Sequence, residues 1–206
     1  MTKPRRRELP RGTAPHGKSR KRAYDTTTKG GETLDPPDVF PTVAYAGVED
    51  TGATYAVPIA VSNATGVKWS SDDSAHATAS GGDASGTIKA VAAGSANVKV
   101  SAGGTTVTIP VTVTAYKAAD RALGAAAYAS KGCAGCHEAA GGPDITPSGI
   151  GKHSDEEVIG AFNDGQNPEG GPISQPNHRF GVDSSAKVGL VAHLRSLPAK
   201  ETPKPD

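Results

Sequence analysis

Residues 86–116 read GTIKAVAAGSANVKVSAGGTTVTIPVTVTAY. Three short runs alternate apolar with polar residues, and Gly94 and the pair Gly103–Gly104 stand between them. A period of two puts every second side chain on one face, which is the pattern of a half-buried strand. In the third run Val107, Ile109, Val111 and Val113 share a face, and Pro110 suits an edge or a bulge, since it cannot donate to a ladder.

The same pattern extends towards the N-terminus. PTVAYAGV, ATYAVPIAVS, GVKWSSDD and HATASGG are further short runs, bounded by Gly, Asn, Asp and Ser. Residues 38–115 therefore predict an all-β sandwich of about seven short strands. Towards the C-terminus the period changes. AADRALGAAAYASKG (118–132), SDEEVIGAFNDG (154–165) and SSAKVGLVAHLRSLP (184–198) predict three helices. Leu123, Ala126 and Ala127 lie near one face of the first. Ser154 and Glu157 form a capping box on the second and Gly165 ends it. Val188, Leu190, Val191 and Leu194 stripe the third, which Pro198 stops. The reading divides the chain into an arm (1–37), a sandwich (38–115), a helical domain (116–200) and a tail (201–206).

Aromatic residues make up 4% of the 206, against 26 glycines and 16 prolines, so each core is small and the loops are long. The net charge of +1 hides an asymmetry: residues 1–30 hold ten Lys and Arg against two Asp and Glu. That arm lacks periodicity and reads as a solvated, disordered tail. A nucleic-acid role is not expected, because no aromatic interleaves its basic run before Tyr24. No apolar run of eighteen residues occurs, so no membrane-spanning helix is expected.

KGCAGCHEAAGGPDI (131–145) follows the first helix. Two cysteines three apart, with a histidine after the second, form the attachment signature of c-type haem: Cys133 and Cys136 bond the porphyrin edge and His137 ligates the iron. The expected cofactor is one covalent haem c. A zinc site needs four ligands, and a second Cys/His pair at finger-like spacing is missing. A thioredoxin-like dithiol wants a βαβ context, which is absent.

Two resemblances sharpen this reading. VKWSSDD through VTIPVTV resembles the bacterial Ig-like domain of group 2, matching at Trp69, Ser70, Ser71, Asp72, Gly86, Ile88, Ala90, Val91, Gly94, Ala96, Val98 and Val100. Most of these are core and turn positions, and Trp69 is expected in the core. Such domains occur in adhesins and surface proteins, often as spacers. Residues 116–200 resemble a monohaem class I-like cytochrome c domain through the haem signature, the GGPDI loop, GIGKHSDEEVIGAFNDG and LVAHLRSLP.

The second resemblance implies that Gly124 and Tyr128 press on the last helix and that the Pro143 carbonyl accepts from His137. It also implies an iron ligand one loop ahead of the last helix, where the family has methionine. The only methionine here is Met1, and His178 holds the corresponding place in SQPNHRFGVD. His178 is the expected sixth ligand. His193 is expected to be structural, and His153 to meet a haem propionate or solvent.

The fold class expected is thus multidomain: an all-β Ig-like sandwich followed by an all-α cytochrome c domain, behind a disordered arm. The expected function is one-electron transfer outside the cytoplasm, in the periplasm or at the cell surface, with redox proteins as partners and no enzymatic activity. Haem attachment of this kind takes place outside the cytoplasm, yet no apolar segment follows the charged N-terminus, so the export signal is expected outside this chain. The alternative is a surface, adhesive or assembly-forming protein in which the sandwich docks or tethers the haem domain, with a homo-oligomer or a cell-surface partner on the sandwich. A gas or redox sensor with an open sixth site is the third reading.

Overall fold

A computed structural model of the chain describes residues 28–29, 32–33, 35–139, 141–175 and 178–203. The expectation of a disordered basic arm falls almost wholly outside these residues.

The alternating runs form strands. In chain order they are β1 (Thr28–Lys29), β2 (Glu32–Thr33), β3 (Asp38–Phe40), β4 (Ala44–Glu49), β5 (Ala56–Ser62), β6 (Lys68–Ser71), β7 (Ala77–Gly81), β8 (Ser85–Ala90), β9 (Gly94–Ala102) and β10 (Thr105–Tyr116). β1 and β2 pair only with each other. The rest make two four-stranded sheets, ordered β4-β10-β9-β6 and β3-β5-β8-β7. All neighbours are antiparallel except β4 and β10. Ile59, Ile88, Val98, Val100, Ile109 and Val111 are fully buried between the sheets. Gly103 (φ 60°) and Gly104 (φ 90°) make the two-residue turn from β9 to β10, where both positions need the left-handed region.

Pro110 lies within the long β10, with Asn97 of β9 as its partner on one side. Pairing with β4 begins only at Val111, so the missing N–H of Pro110 falls where β10 has a single neighbour. Trp69 is partly buried rather than enclosed. Its ring lies over Gly81 and Gly86, where any Cβ would crowd it, and its indole N–H points at the Gly82 carbonyl at 3.4 Å.

The helices are α1 (Ala118–Ser130), α2 (Pro147–Ile150), α3 (Asp155–Asp164) and α4 (Ser184–Ser196). The capping box on α3 is present: the Glu157 N–H donates to Ser154 Oγ and the Ser154 N–H donates to Glu157 Oε2. Gly165 ends α3 with φ 65°. α1 and α4 cross backbone to backbone, and a Cβ on Gly124 would overlap the Gly189 carbonyl. The buried side of α1 is therefore Gly124 and Tyr128, and Leu123 is exposed. On α4 the buried stripe is Leu190, Val191 and Leu194, while Val188 is exposed.

The expectation of a separate all-α cytochrome c domain behind the sandwich is corrected. The chain folds as one mostly-β domain, with the helices laid against the sandwich and sharing side chains with it. Tyr55 and Tyr116, from the strand region, complete the core of Tyr128, Ile150, Val158, Phe162, Leu190, Val191 and Leu194. Polar contacts tie the same boundary. Asp50 Oδ1 accepts from the Ala118 N–H at the start of α1, and the Tyr45 N–H donates to the Gly151 carbonyl. Buried Glu49 accepts from Tyr55, Thr51 and Arg121.

Arg195 of α4, 3% exposed, is the centre of this boundary. Its Nε donates to Tyr116 and Asp155, one terminal nitrogen to the Tyr45 carbonyl, and the other to the His153 carbonyl and Asp155. A guanidinium carries five N–H donors in a fixed fork, and here that fork joins β4 and β10, neighbours in one sheet, to α3 and α4.

Candidate functional site

α1 stops at Ser130, and after Gly132 the chain re-enters a short helical turn at Cys133 that widens into a π-turn over Gly135–Ala139. Such widened turns are frequent at functional sites. Cys133 packs against the helical core, and burial pushes its thiol up; Cys136 is exposed. Both are free thiols, and the Cys136 carbonyl accepts from the Gly142 N–H at 2.8 Å.

His137 lies in the same turn. Its Nδ1 is 2.7 Å from the Pro143 carbonyl. A carbonyl can only accept, so this contact places a proton on Nδ1, and it is Nε2 that carries the lone pair of the neutral ring. His178 repeats the arrangement from the other side: its Nδ1 is 3.0 Å from the Ala161 carbonyl of α3. The two rings have centroids 6.1 Å apart and planes at 76°. Structure thus brings together the two histidines singled out in the sequence, each with its outer nitrogen held by a backbone carbonyl.

The loop carrying His178 is tied to the end of α3. The Ile173 N–H donates to the Gly165 carbonyl, the Phe180 N–H donates to the Phe162 carbonyl, and the Phe180 ring stands 5.0 Å from the His178 ring. Near His137, Tyr128 donates to Glu138 at 2.6 Å, and Lys200 Nζ donates to the His137 carbonyl at 2.8 Å. Burial and then Glu138 push the Tyr128 phenol up, so it stays a donor.

Ala161, Phe180, Glu138 and Lys200 were not legible as site residues. Ala161 acts through its carbonyl, which no residue type marks. Only Phe180 carried a usable signal, an aromatic two residues from His178.

The other histidines stand apart from this pair. His193 sets its ring against Tyr128 at 5.0 Å; its buried Nδ1 has no hydrogen-bond partner among the described residues, and burial pushes its pKa down. His153 is 14% exposed, 3.9 Å from Glu157, and burial and then Lys152 lower its pKa. His76 faces Asp73 at 3.2 Å on the sandwich. Among the described residues no group of three or more His, Cys, Asp and Glu could hold a metal ion, which corrects the expectation of metal binding as far as such side-chain groups go.

No protein-family model matches the chain, and no curated protein matches it. Solved structures do. Domains 4 and 5 of the S-layer protein SbsC align with a TM-score of 0.31 at 22% identity, over 39% of this chain and 54% of that one. Domains 4–9 of the same protein align at 0.33 and 23%, over 41% and 14%. A chimeric titin Z1Z2 carrying a decorin peptide aligns at 0.26 and 15%, over 41% and 100%. The chain spans about half the length of the first of these, and likenesses this faint carry no argument about role.

These findings correct both resemblances. Membership of the group 2 Ig-like family is not shown, nor is membership of the cytochrome c family, and the similar structures are surface-layer and titin domains. The terms cytochrome c, haem, iron and electron transfer therefore reach this chain through no relative.

Proposed function

We propose that the chain carries one covalent haem c between His137 and His178 and passes single electrons outside the cytoplasm. The reading rests on the site and not on kinship. The observation that supports it is the close pair of histidines, each with Nδ1 on a backbone carbonyl. His137 and His178 would hold the iron through Nε2, for which two imidazoles must come within about 6 Å of each other, given nitrogen–metal bonds of about 2 Å. The pair stands at 6.1 Å. A ligating histidine almost always gives its other N–H to a carbonyl or carboxylate, and both do so here.

Each residue then has a role. Cys133 and Cys136 supply the two thiols for thioether attachment. Pro143 fixes the ring of His137, and Ala161 fixes that of His178. Cys133, Ala134, Ile145, Ile159 and Phe180, partly buried against the helical core, supply apolar wall. When bound, haem supplies the ferric–ferrous couple. Two imidazoles and no methionine set that couple lower than a His/Met pair does, since methionine raises the potential. We read the chain as a carrier and not an enzyme, handing its electron to and from redox proteins.

The test uses the full chain, exported from a bacterium with a haem-attachment system. Acid–acetone should leave the colour with the polypeptide. The ferric form should be low-spin and lack the methionine–iron band at the red end of the spectrum. Colour extracted into acetone, or no haem bound at all, overturns the proposal.

The second reading is the alternative expected from the sequence, a surface or assembly module in which the sandwich docks or tethers. The sandwich edges weigh against assembly by strand pairing. Of the four edge strands, β3, β6 and β7 are three, four and five residues long, and β4 is tied to Gly151. Short and covered edges resist pairing with another chain. Concentration-dependent association of the full chain in sedimentation would favour this reading.

A further inference from the structure

We infer that Gly165 is a positioning residue for His178: the left-handed turn that closes α3 seats the ligand loop. This rests on the haem reading above and deepens it.

Three observations meet at this glycine. Its φ is 65°, a conformation that L side chains rarely adopt. A Cβ there would stand 3.1 Å from the His178 carbonyl and 3.2–3.3 Å from the Arg179 side chain, so the loop closes over the bare Cα. Its own carbonyl accepts from the Ile173 N–H, which folds the loop back on the helix end. One turn earlier, the Ala161 and Phe162 carbonyls take the His178 ring and the Phe180 N–H. The end of α3 is thus a four-point seat for Ile173 and residues 178–180, and Gly165 combines the needed backbone with the needed space. A histidine on such a loop is held at the ligand position before metal arrives, where an unseated loop would have to be ordered by it.

The consequence is a rate. With haem held as proposed, carbon monoxide would bind the ferrous form only when His178 leaves. A left-handed alanine is disfavoured enough to change the fraction of unseated loop by about tenfold. The holoprotein and four full-length variants are compared by ferric spin state and carbon monoxide association: His178→Ala, Gly165→Ala, Gly165→Asn and Gly170→Ala. Gly170 also has positive φ (110°), yet a Cβ there meets nothing. It controls for glycine strain alone.

The expected order is wild type slow and low-spin, Gly170→Ala within about twofold of it, Gly165→Ala about tenfold faster with a high-spin fraction, and His178→Ala fastest. Gly165→Asn, whose side chain tolerates left-handed backbone, should fall between wild type and Gly165→Ala, and it stands in for that variant if the alanine protein does not accumulate. If Gly165→Ala or its stand-in matches Gly170→Ala while His178→Ala opens the site, the seat is refuted and the haem reading stands. A wild type that is already high-spin and fast refutes the ligand assignment, and the seat with it.

Discussion

Replacing Arg195 by methionine should cost the whole protein, not the helical layer alone. Arg195 makes five hydrogen bonds, its partner Asp155 is itself largely buried, and the pair is 2.8 Å apart. Methionine fills most of the volume but leaves the Asp155 carboxylate, the Tyr116 hydroxyl and the Tyr45 and His153 carbonyls short of a donor. Removing one partner of a buried ion pair typically costs about 3–5 kcal/mol. Against a total stability of about 5–15 kcal/mol for an ordinary domain, that is a large share. Urea unfolding followed by far-UV circular dichroism measures it through the midpoint. Arg195→Lys should recover little, because a single ammonium cannot span the fork. Asp155→Asn on top of Arg195→Met should recover part of the loss, because the stranded charge is gone. A loss under about 1 kcal/mol, or separate wild-type transitions for strand and helix signals, would refute the shared boundary.

Three further outcomes are expected. Gly124→Ala should lower thermal stability by about 1–3 kcal/mol through overpacking against Gly189, while Gly160→Ala on α3, with only Gln166 at 3.9 Å, should raise it by up to about 1 kcal/mol; equal shifts would argue against the close crossing of α1 and α4. His153 and His193 have folded pKa values pushed below 6.5, so the folded protein binds fewer protons there than the unfolded chain; their contribution is present above about pH 6.5 and lost as pH falls through the folded values, and His153→Gln with His193→Gln should flatten the slope of unfolding free energy between pH 7 and 5. Burial pushes Glu49 up, but bonds from Tyr55, Thr51 and Arg121 outweigh it and hold the carboxyl below 4.5; its stabilisation is present above that value and lost as pH falls further, so Glu49→Gln should lose stability at neutral pH and show a shallower acid limb.

The sandwich was legible because a period of two is a local property. Val98 and Val100, or Ile109 and Val111, bury themselves whichever sheet they join, and the Gly103–Gly104 turn follows from two positive φ angles. The α3 boundaries were legible for the same reason, since a capping box and a left-handed glycine act within one turn. What failed was the inference from a change of period to a change of domain. Tyr116 ends the β10 alternation, yet it turns its ring into the helical core and its hydroxyl to Asp155 and Arg195. Arg195 carries no periodic signal and reads as an ordinary charge on a helix. Leu123 reads as core and is exposed, because the close approach at Gly124 rotates α1 towards its smallest residue.

The candidate site divides along a similar line. Cys133, Cys136 and His137 sit within five residues, and covalent geometry alone puts them in one turn. His178 is forty-one residues further on, and nothing local says where it goes; its place depends on α3 ending at Gly165 and on two carbonyls in the last turn of that helix. The two proposed ligands are therefore placed by different means. His137 is fixed by the signature turn and the nearby Pro143, and His178 by tertiary packing. Disturbance of the boundary between helices and sandwich should consequently reach His178 first. Asp155, which holds Arg195, begins the same ten-residue helix whose other end seats the His178 loop. If the chain carries haem as proposed, Arg195→Met should speed carbon monoxide binding to the ferrous protein while leaving the haem covalently attached. A variant that loses stability by several kcal/mol with carbon monoxide kinetics unchanged would show that α3 does not link the two.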